Sequence, residues 1–390
     1  MRILRIDGWD GPTFGGAQVY VSRISRALAA RGHPNEVTAV VTDPVPAALE
    51  PVRAFRLPRT LMGQALAEAP ASKELTRWLD RAASEFRPDL IHLHRFRAGF
   101  TALGPWLGSR PEPLVFTAHD ADLVCPVSTL TLPSGERCPG GILPRCQLTG
   151  CAVGLGLPGH LAKRYYFDRF VRPRVHAFLC VSNATKSIFE GLGYRPTELL
   201  RPMFPFPESL GQGPDGPFTI GFLGRFEHQK GVGVLLEAFA RVRATHPDVR
   251  LRLTGAGPYA VPPTPGVTVT GWTGDVDRWF DGVHVVVVPS LPWENLGNTS
   301  VEALGHGVPV IVSDSGGLPE TVGEFGTVTP AGDSVALADA IGNVLSNYDD
   351  ARRTASAGRG WVREEFSTER HVDRLLRIYR AALDAPSLSR

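Results

Sequence analysis

Sixteen residues in the middle of the chain, Pro202–Pro217 (PMFPFPESLGQGPDGP), hold eight Pro or Gly. Pro lacks an amide donor and Gly weakens regular elements, so this stretch reads as a linker. On both sides of it the same rhythm runs: a short apolar run, a loop, a helical stretch, another apolar run. That alternation predicts two α/β halves, each built on a parallel sheet. A length of 390 residues suits the division, because single cores stop growing near ~250–300 residues.

In the first half, Arg2–Ile6 reads as a strand, followed by a glycine loop with Gly8, Gly11, Gly15 and Gly16. Ala17–Ala30 places Val21, Ile24 and Leu28 on one helical stripe, and Gly32 closes that helix. Glu36–Thr42, Leu90–Leu93, Leu114–Thr117 and Ala177–Val181 read as further strands, and Ser72–Phe86 as a helix. In the second half the strands are Phe218–Leu223, Val249–Thr254, Val267–Thr270, His284–Pro289 and Val308–Val312. Gly233–Arg243 and Thr299–Gly305 read as helices, and Thr368–Leu383 as a strongly amphipathic one. The expected organisation is an N-terminal domain over 1–202 with a Cys-bearing insertion near 122–156, a linker over 203–217 and a C-terminal domain over 218–366. The helix in 367–390 is expected to pack back toward the N-terminal domain.

Hydrophobic residues make up 43% and charged residues 21%, which excludes a disordered chain. A net charge of +2 gives no basic excess for nucleic acid. No apolar run reaches the ~18–20 residues of a membrane span, and the N-terminus lacks a secretory h-region. The expectation is a cytoplasmic protein without integral membrane contact. Positive charge is almost all Arg; the lysines are Lys73, Lys163, Lys186 and Lys230 alone.

Four features converge in the second half. Gly224-Arg225 follows a strand directly, and Lys230-Gly231 opens a helix. A bidentate Arg and a point-charge Lys at the carboxyl end of a strand suit a diphosphate. Next, the run Val285–Ser290 ends in a loop carrying Glu294, and a helix is expected to start at Asn298 or Thr299, both good N-caps. Amides from Gly297 to Val301 can face an anion, and Glu302 is expected within that first turn. Two carboxylates beside a diphosphate suit vicinal hydroxyls, although Glu302 alone could simply stabilise the helix dipole. The third feature is Asp314-Ser315-Gly316-Gly317-Leu318-Pro319-Glu320 after the next strand. The fourth, Gly255-Ala256-Gly257-Pro258-Tyr259-Ala260, matches a dinucleotide fingerprint on paper. The Pro-rich run Val261–Pro265 behind it prevents a helix start, so a turn is expected and an NAD enzyme disfavoured.

These motifs resemble those of a family 4 glycosyltransferase with the GT-B fold, two Rossmann-like domains facing across a cleft. The resemblance is carried by G-R-x-x-x-x-K-G (Gly224–Gly231), the pair Glu294 and Glu302 with its G-N-T-S-V-E-A helix start, and G-V-P-V-I-x-S-D followed by G-G-x-P-E. It implies retaining transfer of a sugar from a nucleotide donor, a UDP-sugar favoured, to a saccharide or small-molecule acceptor. Arg225 and Lys230 would hold the diphosphate, Glu302 the ribose hydroxyls and Glu294 a sugar hydroxyl, with Leu296, Gly297, Asn298 and Thr299 around the donor. Gly15 and Gly16 would lie against its phosphates, and His119 would contact the sugar. Where relatives often have Glu-Gly or Glu-Pro-Phe-Gly, this chain has Trp293-Glu294-Asn295-Leu296-Gly297, which leaves the sugar open. An epimerase or phosphorylase on the same fold, or a non-catalytic sugar-nucleotide binder, would share these residues.

Three further readings concern the first half. His92 and His94 end a strand, and His94 could face an acceptor. Asp120-Ala121-Asp122 spells D-x-D, yet two carboxylates give a cation too few ligands, so no catalytic metal is expected. Cys125, Cys138, Cys146 and Cys151 could bind a structural zinc, form disulfides or stay free thiols; Cys180 reads as core. His160–Arg174 interleaves cations and aromatics, which suits a core-facing helix or contact with a lipid acceptor.

Overall fold

A computed structural model describes residues 1–9, 16–41, 52–57, 68–97, 99–132, 138, 140–141, 145–151, 156–209, 211, 213–291 and 293–386. They form two compact units. Described residues up to Met203, together with the last helix Thr368–Asp384, make the first; Phe204–Ser367 make the second.

The first unit holds seven parallel strands in the order β3-β2-β1-β4-β5-β6-β7. These are β1 (Ile3–Trp9), β2 (Asn35–Val41), β3 (Val52–Arg56), β4 (Leu90–Leu93), β5 (Leu114–Ala118), β6 (Val175–Cys180) and β7 (Thr197–Leu199). The direction of winding reverses between β1 and β4, so a crevice opens at the carboxyl ends of those two strands. Gly8, expected in a loop, belongs to β1 and pairs with Val40. Gly32 caps helix Gly16–Ala30 as expected, at φ 74°. Helix Glu68–Phe86 runs four residues longer at its start than its sequence pattern predicts.

Helix Thr368–Asp384 belongs to the core of this unit. Its buried residues His371, Val372, Leu375, Leu376, Tyr379 and Ala382 form one stripe. That stripe packs with Ile3, Val21, Ile24, Leu90, Val115 and Leu179 from the sheet and the first helix. Each fully buried Leu or Val here is worth about 1.5–3 kcal/mol of transfer free energy.

The second unit holds six parallel strands in the order β10-β9-β8-β11-β12-β13. These are β8 (Thr219–Leu223), β9 (Arg250–Thr254), β10 (Val267–Thr270), β11 (Val285–Val288), β12 (Val310–Ser313) and β13 (Thr327–Thr329). β11 is apolar at every position, and β8 and β12 nearly so, as suits strands covered by helices on both faces. Ile220, Phe222, Val285, Val287 and Ile311 pack with Leu235, Phe239, Leu337 and Ile341. Here the winding reverses between β8 and β11. Within the expected linker, Phe204 packs edge-on against Phe366, and Arg359 and Arg363 both donate to the Pro207 carbonyl.

Candidate functional site

In the second unit the charged groups gather at the strand switch. The loop after β8 delivers Arg225 and a one-turn helix, His228–Lys230; the loop after β11 delivers Ser290 and Glu294. Lys230 Nζ donates to Glu294 Oε2 at 2.5 Å, and Ser290 Oγ donates to the same oxygen at 3.0 Å. Burial alone would raise the Glu294 carboxyl. The Lys230 charge and the two hydrogen bonds overcome that, so it lies below the ordinary carboxylate range. Lys230 keeps two of its three donors, and Glu294 keeps Oε1, for a ligand. Arg225 is 47% exposed and donates to Glu227 Oε1 at 2.6 Å.

Gly231 makes this meeting sterically feasible. It sits at φ 71°, and a Cβ there would lie 1.9 Å from the Pro289 carbonyl oxygen. The two loops therefore touch backbone to backbone directly beside Lys230. The glycine-rich turn after β12 approaches equally closely, because the Gly317 amide donates to the Glu294 carbonyl at 2.8 Å. All three loops thus fix the position of Glu294.

The helix after this loop spans Asn298–Gly305. Its N-cap is Gly297, at φ 95°, with no side-chain cap, rather than Asn298 or Thr299 as expected. Thr299 spends its hydroxyl on the Leu223 carbonyl at the end of β8, 3.2 Å away. The first-turn amides thus have no side chain folded over them. Because the helix starts at Asn298, Glu302 lies just past the first turn rather than inside it. Leu296 is 4% exposed, so its side chain packs inside the protein.

Gly255 and Gly257 serve the fold. A Cβ on Gly257 would lie 2.2 Å from the Phe226 carbonyl oxygen. The Phe226 amide donates to Ala256, and the Tyr259 amide donates to Phe226. This G-x-G turn is filled by the chain's own backbone, with no helix after it.

In the first unit the ends of β1, β4 and β5 carry another charged cluster, again at the strand switch. Arg95 Nε and Nη2 each donate to one oxygen of Asp7 at 2.8 Å. Arg5, fully buried in β1, donates from Nε and Nη2 to His94 Nε2 at 3.1 and 2.8 Å. His94 Nδ1 lies 3.0 Å from His119 Nε2. Burial, with Arg95 and Arg5 nearby, lowers the His119 pKa to about 4, so the ring is neutral at physiological pH. His94 is fully buried with both ring nitrogens engaged, so it does not face an acceptor. His92 is also internal, between Tyr379 Oη at 2.5 Å and Thr117 Oγ1 at 2.7 Å.

Arg5, Asp7, Arg95 and Tyr20 escaped the sequence reading. The available signal was two charged residues, Arg5 and Asp7, at alternate positions in a strand destined for burial. Gly16 opens the first helix, and Gly15 lies outside the described residues. The D-x-D carboxylates are engaged by cations. Asp120 accepts from Arg97 at 2.9 Å, while Asp122 faces Arg97 at 3.2 Å and Lys163 at 2.7 Å.

All five cysteines are free thiols. Cys125, Cys138, Cys146 and Cys151 line one small cavity with Val124 and Leu132. Among the described residues no three His, Cys, Asp or Glu side chains are placed to share a metal. The Cys151 sulfur instead faces the Thr149 hydroxyl, and the Cys146 sulfur the Gly141 carbonyl. Cys180 is core, its thiol pushed up to about 12 by burial. In His160–Arg174, Phe167 and Val171 are fully buried while Tyr165 is 60% exposed. No described helix is long and apolar enough to cross a membrane.

Comparison with known proteins accounts for both units. Residues 14–200 match the family model Glycosyltransferase Family 4, and residues 217–347 match Glycosyl transferases group 1. The chain is 25% identical over 421 residues to a glycogen synthase of Mycobacterium tuberculosis, spanning 98% of this chain and 95% of that one. It is 27% identical over 395 residues to a phosphatidyl-myo-inositol mannosyltransferase of Mycobacterium leprae, spanning 97% and 96%. In fold it resembles Anabaena Alr3699/HepE in complex with UDP-glucose, with a TM-score of 0.71 at 17% identity over 98% of this chain and 100% of that one.

Two doubly wound parallel sheets give the chain the GT-B architecture. Within that class the chain belongs to the family 4 glycosyltransferases.

Proposed function

We propose that the chain transfers a sugar, with retention, from a nucleoside-diphosphate sugar to a hydroxyl of a saccharide or small-molecule acceptor. The observation that carries this reading is the Lys230–Glu294 pair at the strand switch, beside a helix start without a side-chain cap. An ammonium, a guanidinium and free helix amides suit a leaving diphosphate, and the spare Glu294 oxygen suits a sugar hydroxyl. A uridine nucleotide is favoured as donor; the structurally similar Alr3699/HepE was solved with UDP-glucose.

In this reading Arg225, Lys230 and the amides after Gly297 take up the charge that develops on the leaving phosphate. Such preorganised electrostatics is usually the largest catalytic contribution. The C1–O bond to the diphosphate breaks as the acceptor oxygen bonds to C1 on the same face. The acceptor proton passes to the leaving phosphate oxygen, so no protein nucleophile is needed. Glu302 receives the ribose hydroxyls, and His119 donates to the sugar.

The test is a thermal-shift panel of UDP-, GDP-, ADP- and dTDP-sugars, followed by the anomeric configuration of the product. A ligand at 100 times its dissociation constant adds ~2.7 kcal/mol of stability. One nucleotide series should stand out, and the product should keep the donor's anomeric configuration. Inversion at C1 would remove the retaining mechanism, and a flat panel would favour a chain that binds no sugar nucleotide.

A further inference from the structure

The buried contacts around His119 have a direction. Arginine donates through every nitrogen and accepts through none. Because Arg5 Nε and Nη2 both point at His94 Nε2, that nitrogen must present its lone pair. Neutral His94 then carries its proton on Nδ1, and Nδ1 faces His119 Nε2 at 3.0 Å. His119 Nε2 must in turn accept, which leaves the His119 proton on Nδ1. A backbone carbonyl only accepts, which fixes a neighbouring ring: His371 Nδ1 donates to the Arg201 carbonyl at 2.6 Å, so its Nε2 accepts from the Tyr20 hydroxyl at 3.0 Å.

The anchor of the series is rigid. Arg5 Nη1 also donates to the Val21 carbonyl at 2.8 Å and to Ser25 Oγ at 2.5 Å, so the guanidinium cannot rotate away. Tyr20 packs edge-on against both His94 and His119, with ring centroids 5.9 and 5.0 Å apart, which opposes a ring flip. His119 is half-buried, and among the described residues its Nδ1 has no hydrogen-bond partner.

We propose that Arg5, acting through His94, is a positioning residue that holds His119 as the tautomer protonated on Nδ1. His119 then meets a ligand only as a hydrogen-bond donor, never as a proton acceptor. This rests on His119 touching the donor sugar, as proposed above; the tautomer itself does not depend on that reading. It assigns the acceptor's proton elsewhere than His119, and it explains a charged residue in the middle of a buried strand.

The experiment is nitrogen NMR on protein labelled with 15N-histidine, with His119 assigned by the signal lost in His119→Asn. Wild type should show His119 protonated on Nδ1. His94→Gln should keep that tautomer, because its amide oxygen accepts from Arg5 and its amide nitrogen donates to His119. His94→Leu should give mixed tautomers, and so should Arg5→Met where it folds. In His94→Leu, kcat should fall roughly tenfold to a hundredfold with a smaller change in donor KM, and His94→Gln should recover most of the loss. An Nε2–H tautomer in wild type, or an unchanged tautomer in folded His94→Leu, would overturn the proposal. If the tautomers follow this pattern but no sugar nucleotide turns over, the relay stands and the transfer reading fails.

Discussion

Lys230 and Glu294 meet at 2.5 Å although 64 residues separate them in the chain. The reversal of strand order between β8 and β11 places their loops side by side. The pair is thus a consequence of topology, and its two side chains should fail together when either is changed.

Lys230→Ala removes a cation from the proposed diphosphate site and leaves a half-buried carboxylate without its neutralising charge. Loss of one preorganised donor to a developing anion costs about 10²–10³ in kcat. Lys230→Ala and Glu294→Gln should each lower turnover by that order. The double variant should be little worse than either single, because the residues act as one unit. Steady-state kinetics of all three checks this, and fully additive losses would count against it.

Gly231→Ala should destabilise the second unit. The added Cβ would lie 1.9 Å from the Pro289 carbonyl at a φ of 71°, so both sterics and backbone oppose it. Strain of this kind costs on the order of 1–3 kcal/mol, before the loops move apart. Urea denaturation should show a lower midpoint with an unchanged slope, and a wild-type midpoint would contradict the packing.

Acid should weaken the first unit before its carboxylates titrate. Burial lowers the pKa of His119 and of His371 to about 4, below the ordinary value of 6.5. Between those values the unfolded chain binds more protons than the folded one, so stability rises with pH across this window. Each ring contributes on the order of 3 kcal/mol of stability at neutral pH, lost progressively as the pH falls from about 6.5 to about 4. Tm measured in half-unit steps should decline over that range, more gently in His371→Gln.

Tyr379→Phe removes the partner of His92 Nδ1, 2.5 Å away. A buried polar atom left unsatisfied costs about 1–3 kcal/mol. That loss should appear in denaturant titrations as reduced stability of the whole first unit, because Tyr379 lies in the helix that completes its core. An unchanged midpoint would mean that the last helix contributes little to that core.

Part of this architecture was legible in the sequence because several interior strands, such as β11 and β5, are apolar runs. Val285–Val288 could hardly be anything but a buried strand, and Gly224-Arg225 and Lys230-Gly231 mark the ends of their elements. The strands that went unread, β3, β7 and β13, are edge or near-edge segments whose residues are mostly half-buried or exposed. One solvated side erases the apolar signal on which strand reading depends. Gly297 caps helix Asn298–Gly305 although Asn is the stronger cap in general. Here Thr299 is drawn instead to the Leu223 carbonyl, a partner that only the assembled sheet supplies. The Arg5–His94 contact spans 89 residues and depends on β1 pairing with β4, so local pattern could not reveal it.

Lys230 is the proposed anchor of the donor diphosphate. Its test is the Tm of wild type and of Lys230→Ala, each with and without the nucleoside diphosphate that stabilises wild type most. A clear ligand-dependent rise in wild type that nearly vanishes in a folded Lys230→Ala protein is the predicted result. An equal rise in both proteins would place the diphosphate away from Lys230 and contradict the site described above.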